Sequence, residues 1–219
     1  MKTRVALIHA VAVAIEPVQQ AFRQLWPEAE CTNILDDSLS VDRERDGLLT
    51  ETMRHRIRTL AEYGAATGAG GILFTCSAFG EAIAAAASAM PIPVLKPNEA
   101  MFEAALGMGG RIGMLATFLP SVASMEDEFR EMAEAIGNRV TIETYCVPGA
   151  MAALKAGDGA EHDRLIAEAA PRFADCDAVL LAHFSTTRAA SAVAAVLDRP
   201  ALTSPASAVA KLKGIIAMR

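Results

Sequence analysis

An α/β fold of two similar lobes, each a four-stranded parallel sheet flanked by helices, is what this 219-residue sequence predicts. Two observations predict it. First, the chain repeats itself: TRVALIHA at 3–10 lies over GRIGMLAT at 110–117, GGILFTC at 70–76 over DAVLLAH at 177–183, and PVL at 93–95 over PAL at 200–202, positions 107 apart each time. Internal repeats set an architecture and are read before anything else. Second, short β-rich runs alternate with longer Ala/Glu/Arg segments, the pattern of parallel sheets. The lobes are expected over 1–97, joined by a C-terminal helix at about 206–219, and over 98–205. A pseudo-twofold is expected to relate them, with the active site in the cleft between.

The first element needs a choice. MKTR followed by VALIHAVAVAI imitates a secretory signal, but His9 interrupts the apolar run and residues 4–8 have a counterpart deep in the chain at 111–115. It reads as a strand at 4–9. Further strands follow at 30–35, 71–75 and 93–95, and in the second half at 111–116, 140–145, 178–182 and 200–202. Helices fill the gaps at 17–25, 46–66, 79–89, 99–106, 121–136, 161–173 and 187–196, with a last one at 205–212. The glycines of GAATGAGG at 64–71 precede a strand, so they read as a helix stop and turn. No GxGxxG follows the first strand and no GxxxxGK[ST] occurs, which argues against dinucleotide and phosphate-loop sites.

Composition narrows the class. With 53% apolar residues the chain can bury a large core. A net charge of −6 without a basic run argues against nucleic acid, whose binding rests on phosphate neutralisation. The densest basic stretch, MRHRIR at 53–58, reads as a solvated helix face. The four cysteines lack CxxC spacing, so neither a zinc cluster nor a disulfide framework is expected, and a reducing cytoplasm fits best. No run reaches the roughly 18–20 apolar residues of a membrane helix. A homo-oligomer is the expected assembly.

Ligands of open α/β sheets bind beyond the carboxyl ends of the strands. Cys76 stands there, after GILFT and before a helix expected to start near Ala78 or Phe79. A helix N-terminus favours thiolate, so a lowered thiol pKa is expected. Thr75 and Ser77 flank it, and the N–H groups from Ala78 onward suit a carboxylate. His183 holds the matching place after AVLLA, followed by Ser185, Thr186 and Thr187. Its ordinary pKa of about 6.5 suits proton exchange near neutrality. His9 ends the first strand, where it orients Cys76, contacts substrate or fills the rim; His55 and His162, in charged helical stretches, read as surface residues. Thr117 is a candidate donor to a substrate carboxylate, and Asn98 and Ser204 are further candidates, with helix capping as the competing role. Phe79, Phe118, Leu119 and Phe184 suggest apolar walls.

At FTCSAFG (74–80), RIGMLAT (111–117), DAVLLAH (177–183) and RPALTSPASA (199–208) the chain resembles the aspartate/glutamate/hydantoin racemase superfamily, which also includes allantoin racemase, maleate isomerase and arylmalonate decarboxylase. The resemblance implies two α/β lobes around a cleft, no pyridoxal phosphate, no metal, and chemistry at a carbon beside a carboxylate. Two cysteines face each other across the substrate in those racemases. Cys76 matches the first, whereas His183 stands in the second's position. The catalytic pair is therefore expected to be Cys76 and His183, with His9, Thr75, Ser77, Ala78, Asn98, Thr117, Ser185 and Thr186 contacting substrate. Three readings follow: a racemase or epimerase with an unequal pair, an isomerase or decarboxylase using one residue, or an inactive binder of small anions. A Cys–His hydrolase with His9 as base is a fourth.

Overall fold

The computed structural model describes residues 2–219. The chain divides into two compact units, one of residues up to Pro97 together with Pro205–Arg219, the other Asn98–Ser204. Each contains one parallel four-stranded sheet. In the first, β1 (Arg4–His9), β2 (Glu30–Leu35), β3 (Gly71–Phe74) and β4 (Val94–Leu95) lie in the order β2-β1-β3-β4. In the second, β5 (Arg111–Ala116), β6 (Thr141–Cys146), β7 (Ala178–Leu181) and β8 (Ala201–Thr203) repeat that order as β6-β5-β7-β8.

The repeat read from the sequence is a repeat of register. Val5 pairs with Gly71 and Ile112 with Ala178; Leu73 pairs with Leu95 and Leu180 with Leu202. All four pairs obey the 107-residue spacing. The outer strand breaks it: Arg4 faces Glu30, but Arg111 faces Thr141, four residues later than the spacing requires. The central strands are continuous apolar runs buried on both faces, as parallel sheets demand, while the edge strands β2 and β6 are half-exposed.

Helices cover both faces of each sheet. In the first unit these are α1 (Ile15–Leu25), α2 (Ser38–Asp46), α3 (Glu51–Ala66), α4 (Gly80–Ala89) and α10 (Ser204–Ala217); in the second, α5 (Glu99–Leu106), α6 (Val122–Ala135), α7 (Ala150–Lys155), α8 (Gly159–Ala169) and α9 (Ala190–Ala194). Strand alternation sorts the second unit's core into two layers. Ile112, Met114, Ala178 and Leu180 pack with Met101, Phe102 and Phe129; Leu115, Val179 and Leu181 pack with Ile166, Phe173 and Val193. Gly113 faces the second layer, where a Cβ would collide with the Phe173 ring.

The helix expected at 46–66 begins only at Glu51, and a separate helix without counterpart in the sequence-based expectation, α2, ends at Asp46. Gly47, in the left-handed conformation (φ 68°), ends α2. The Thr50 hydroxyl accepts the Met53 N–H (3.3 Å) and so opens α3. Another short helix, α7, has no counterpart in the sequence-based expectation; Asp158 then caps α8 through the Glu161 N–H (3.0 Å). The stretch 187–189 belongs to a 3-10 turn rather than to α9, and α10 runs on to Ala217. Among the described residues, no helix is long and apolar enough to cross a membrane. The MRHRIR segment does lie on an ion-paired surface: Arg54 meets Glu81, Arg56 meets Asp36 and Asp42, and Arg58 meets Glu62.

Candidate active site

In each sheet the chain leaves the first strand toward one edge and the third strand toward the other. The crevice for a ligand therefore opens at the carboxyl ends of β1 and β3, and likewise of β5 and β7. Those ends carry His9 and Cys76 in one unit, Thr117 and His183 in the other.

Cys76 follows β3 in ordinary extended conformation (φ −115°, ψ 120°) and stays partly exposed, while Thr75, Ser77, Ala78 and Phe79 around it are buried. A 3-10 turn, Ser77–Phe79, separates it from α4. The helix N-terminus expected to lower the thiol pKa thus starts four residues away. Burial pushes the thiol the other way, up to about 11, against the pull of the Ala78 N–H and the positive charge of Arg43, because a low-dielectric surrounding disfavours the charged form. Arg43 carries no signal in the sequence. It is a buried cation on α2 whose Nε donates to the Ala78 carbonyl (3.4 Å).

His9 is buried and holds its neighbours at both nitrogens. Nε2 lies 3.0 Å from Asn33 Oδ1 and Nδ1 lies 2.9 Å from Thr75 Oγ1. Burial lowers its pKa, which keeps the ring neutral. A carbonyl oxygen only accepts, so Nε2 carries the proton and Nδ1 accepts from the Thr75 hydroxyl. His9 therefore anchors the residue beside Cys76 and is not hydrogen-bonded to the thiol, which removes the geometry a Cys–His hydrolase needs.

His183 ends β7 differently. At φ 77° and ψ 146° it is the only non-glycine residue with positive φ among the described residues. The Thr186 hydroxyl reaches back to the carbonyls of Ala182 and His183 (2.5 and 2.8 Å), so it braces this bend instead of offering a donor to substrate. Ser185 is buried in the same turn. Burial, and then the charge of His162, push the His183 imidazole down to about 4, since both disfavour a second buried positive charge.

His162 corrects the sequence reading. It is fully buried, on the stripe Gly159, His162, Ile166 and Ala169 that α8 turns inward. The charged neighbours Glu161, Asp163 and Arg164 disguise it, although its spacing from Ile166 and Ala169 follows the helical period. Its Nδ1 lies 2.7 Å from Asp163 Oδ1, and Asp163 also receives the Arg188 Nε at 2.9 and 3.1 Å.

Asn98 and Ser204 come together: the Ser204 hydroxyl donates to Asn98 Oδ1 (2.8 Å), and both are fully buried. Asn98 makes no side-chain capping bond, so capping does not explain it. Its Nδ2 and the hydroxyls of Thr117 and Thr187 are buried without a hydrogen-bond partner, a costly state that a polar ligand relieves. Phe79 and Phe184 are sealed in the core, leaving Phe118, half-buried, and Leu119, exposed, as accessible apolar side chains. No group of three or more His, Cys, Asp or Glu is arranged to hold a metal ion among the described residues.

Comparison with solved structures finds the same fold in proteins of low identity. Glutamate racemase from Francisella tularensis, solved with D-glutamate, superposes with a TM-score of 0.75 at 14% identity, over 99% of this chain and 82% of that one. Aspartate racemase from Picrophilus torridus gives 0.77 at 13%, over 98% and 94%. Allantoin racemase from Klebsiella pneumoniae gives 0.70 at 17%, over 99% and 88%. A search of curated protein sequences gives no match. The family model for Asp/Glu/hydantoin racemases matches residues 14–212, and on that match, carried by nearly the whole repeat, the chain belongs to the Asp/Glu/hydantoin racemase family.

Proposed function

We propose that the chain is a cofactor-independent racemase or epimerase of a small carboxylate-bearing substrate of amino-acid or hydantoin type, with Cys76 and His183 as its proton-transfer pair. The observation that carries this is their shared register: each follows the third strand of its sheet, beyond strand pairs that repeat at one spacing. The racemases of similar fold act on glutamate, aspartate and allantoin, substrates whose stereocentre lies beside a carbonyl carbon.

The electrostatics support a choice of starting roles. A thiol pushed up to about 11 is protonated at neutral pH, and an imidazole pushed down to about 4 is neutral. One group therefore begins as acid and the other as base. His183 removes the proton beside the carboxylate, and Cys76 delivers its own proton to the opposite face, leaving imidazolium and thiolate. The reverse turnover starts from that charged pair. Two local features favour its formation: Arg43 stabilises the thiolate, and an anionic substrate stabilises the imidazolium. Thr117 and the Asn98 amide supply donors for the carboxylate. Positioned acid–base groups of this kind contribute about 10²–10⁴-fold to rate.

One observation also supports a second reading. A thiol kept protonated is a ready proton donor by itself, as an isomerase or decarboxylase using Cys76 alone requires. Incubation with amino acids, hydantoins and malonates in deuterated water separates the two. Deuterium incorporation with inversion supports the pair; incorporation with carbon dioxide release supports the lone donor. Failure of every substrate class leaves the binding-protein reading. Full activity in Cys76→Ala sinks both enzymatic readings.

A further inference from the structure

The bend at His183 has to be held in place. At φ 77° and ψ 146° it lies close to a region that glycine alone enters freely, and a residue with a Cβ stays there only where its surroundings over-determine it. The Thr186 hydroxyl, on the carbonyls of Ala182 and His183, fastens the near end of the 3-10 turn Phe184–Ala189. The far end is fastened by Arg188, which the proton-transfer scheme leaves unused. Its Nε donates to both oxygens of Asp163 on α8, at 2.9 and 3.1 Å. Asp163 is itself fixed, because the Nδ1 of the fully buried His162 lies 2.7 Å from its Oδ1. An isolated surface ion pair contributes little, but this one belongs to a network rooted in the interior.

Gly159 supplies the seat. A Cβ on this first residue of α8 would stand 2.1 Å from Arg188 Nη2, so the guanidinium occupies the space a side chain would fill. The helix gains nothing from that placement, since a cation at a helix N-terminus opposes the macrodipole. What the contact fixes is the distance between α8 and the turn that leaves His183. We propose that Arg188, seated on Gly159 and held by Asp163, is a positioning residue for His183: it ties the turn to α8 and so keeps the imidazole aimed from a bent backbone that otherwise relaxes. The proposal rests on the role given to His183 above.

Two variants remove the tie by different routes. Arg188→Met deletes the charge and keeps a long side chain. Gly159→Ala leaves every polar group in place but fills the seat. The partly exposed arginine then swings aside, while α8 itself gains, alanine being the better helix former. A positive φ brings a residue's amide hydrogen close to its own Hα. In ¹⁵N-labelled, substrate-free protein, a strong intraresidue cross-peak therefore marks the bend at His183. Expected is a strong peak in the wild type that weakens in both variants, with deuterium exchange at the substrate carbon down about 10²-fold and KM nearly unchanged. The double variant should lose no more than either single one, because both act through one contact. A weak peak in the wild type, a strong peak that persists in the variants, or full exchange in a variant that has lost the peak overturns the proposal. So does a loss of exchange confined to Arg188→Met, which would tie the effect to charge instead of position. If Arg188→Met does not fold, Gly159→Ala decides. The peak needs no substrate, so its outcome is separate from the racemase reading, which stands or falls on exchange in the wild type.

Discussion

Cys76 and His183 stand at the same place in two sheets of the same order, yet the chain leaves those places in different ways. The residue after β3 is ordinary extended backbone, φ −115°, whereas His183 after β7 is bent to φ 77°. Residues with a Cβ rarely adopt that second region. The surroundings differ as well. A buried arginine accompanies the thiol, and a buried histidine accompanies the imidazole. Both environments nonetheless do the same thing, which is to keep the group uncharged. A duplicated scaffold need not duplicate its chemistry. It repeats the position, and local packing then sets the role.

The largest effect expected from this contrast is on catalysis. If the two ends form one pair, Cys76→Ser and His183→Asn each lower deuterium exchange at the substrate carbon by about 10²–10⁴-fold. If only the first unit works chemically, His183→Asn loses less than about tenfold while Cys76→Ser remains inactive. Exchange rates for the two variants on a common substrate break the comparison or keep it.

Stability against pH should sharpen it next, with opposite signs for the two units. The folded His183 titrates near 4 and the unfolded one near 6.5, so between those values the unfolded chain binds more protons and stability falls as pH falls. The folded Cys76 titrates near 11 and the unfolded one near 9, so stability falls as pH rises through that window. The buried His183 contributes roughly 3 kcal/mol over its window, and the partly exposed Cys76 contributes less. Urea midpoints measured across both windows should show His183→Asn flattening the acid side alone and Cys76→Ala flattening the alkaline side alone. An acid limb unchanged by His183→Asn would falsify the buried neutral imidazole. His9 and His162 add to that limb in the wild type, since burial lowers both.

Much of this was legible in the residues. Continuous apolar runs and the constant spacing are enough to pair the inner strands and to single out Cys76 and His183, because register is a property of alternation along the chain. The outer strand is not legible in the same way: β6 pairs four residues later than the spacing requires, after a stretch, 137–140, whose residues carry no apolar alternation to mark the register. Charge state is legible least. The pKa values of Cys76 and His183 lie opposite to, or far from, expectation because desolvation depends on three-dimensional packing that a flanking motif does not record. Arg43 and His162 escape for a related reason: in sequence they sit among charged residues, and only the helical phase of α2 and α8 turns them inward.

The smallest expected effect isolates the backbone difference from the chemistry. Glycine normally destabilises relative to alanine, by about 0.5–1 kcal/mol, because it has more conformational freedom to lose. At residue 76, where φ is ordinary, that order should hold: Cys76→Gly is less stable than Cys76→Ala. At residue 183, where φ is 77°, it should invert. A Cβ in that region carries strain of about 1–3 kcal/mol that glycine does not feel. His183→Gly should therefore be more stable than His183→Ala, although neither retains a base. Each pair removes the same functional side chain, so burial and charge largely cancel within the pair, leaving the backbone term and one methyl group. Denaturation midpoints of the four variants read it directly. If glycine is worse than alanine at both positions, the bend after β7 is not strained, and Thr186, whose hydroxyl bonds the carbonyls of Ala182 and His183, is no longer needed to hold it.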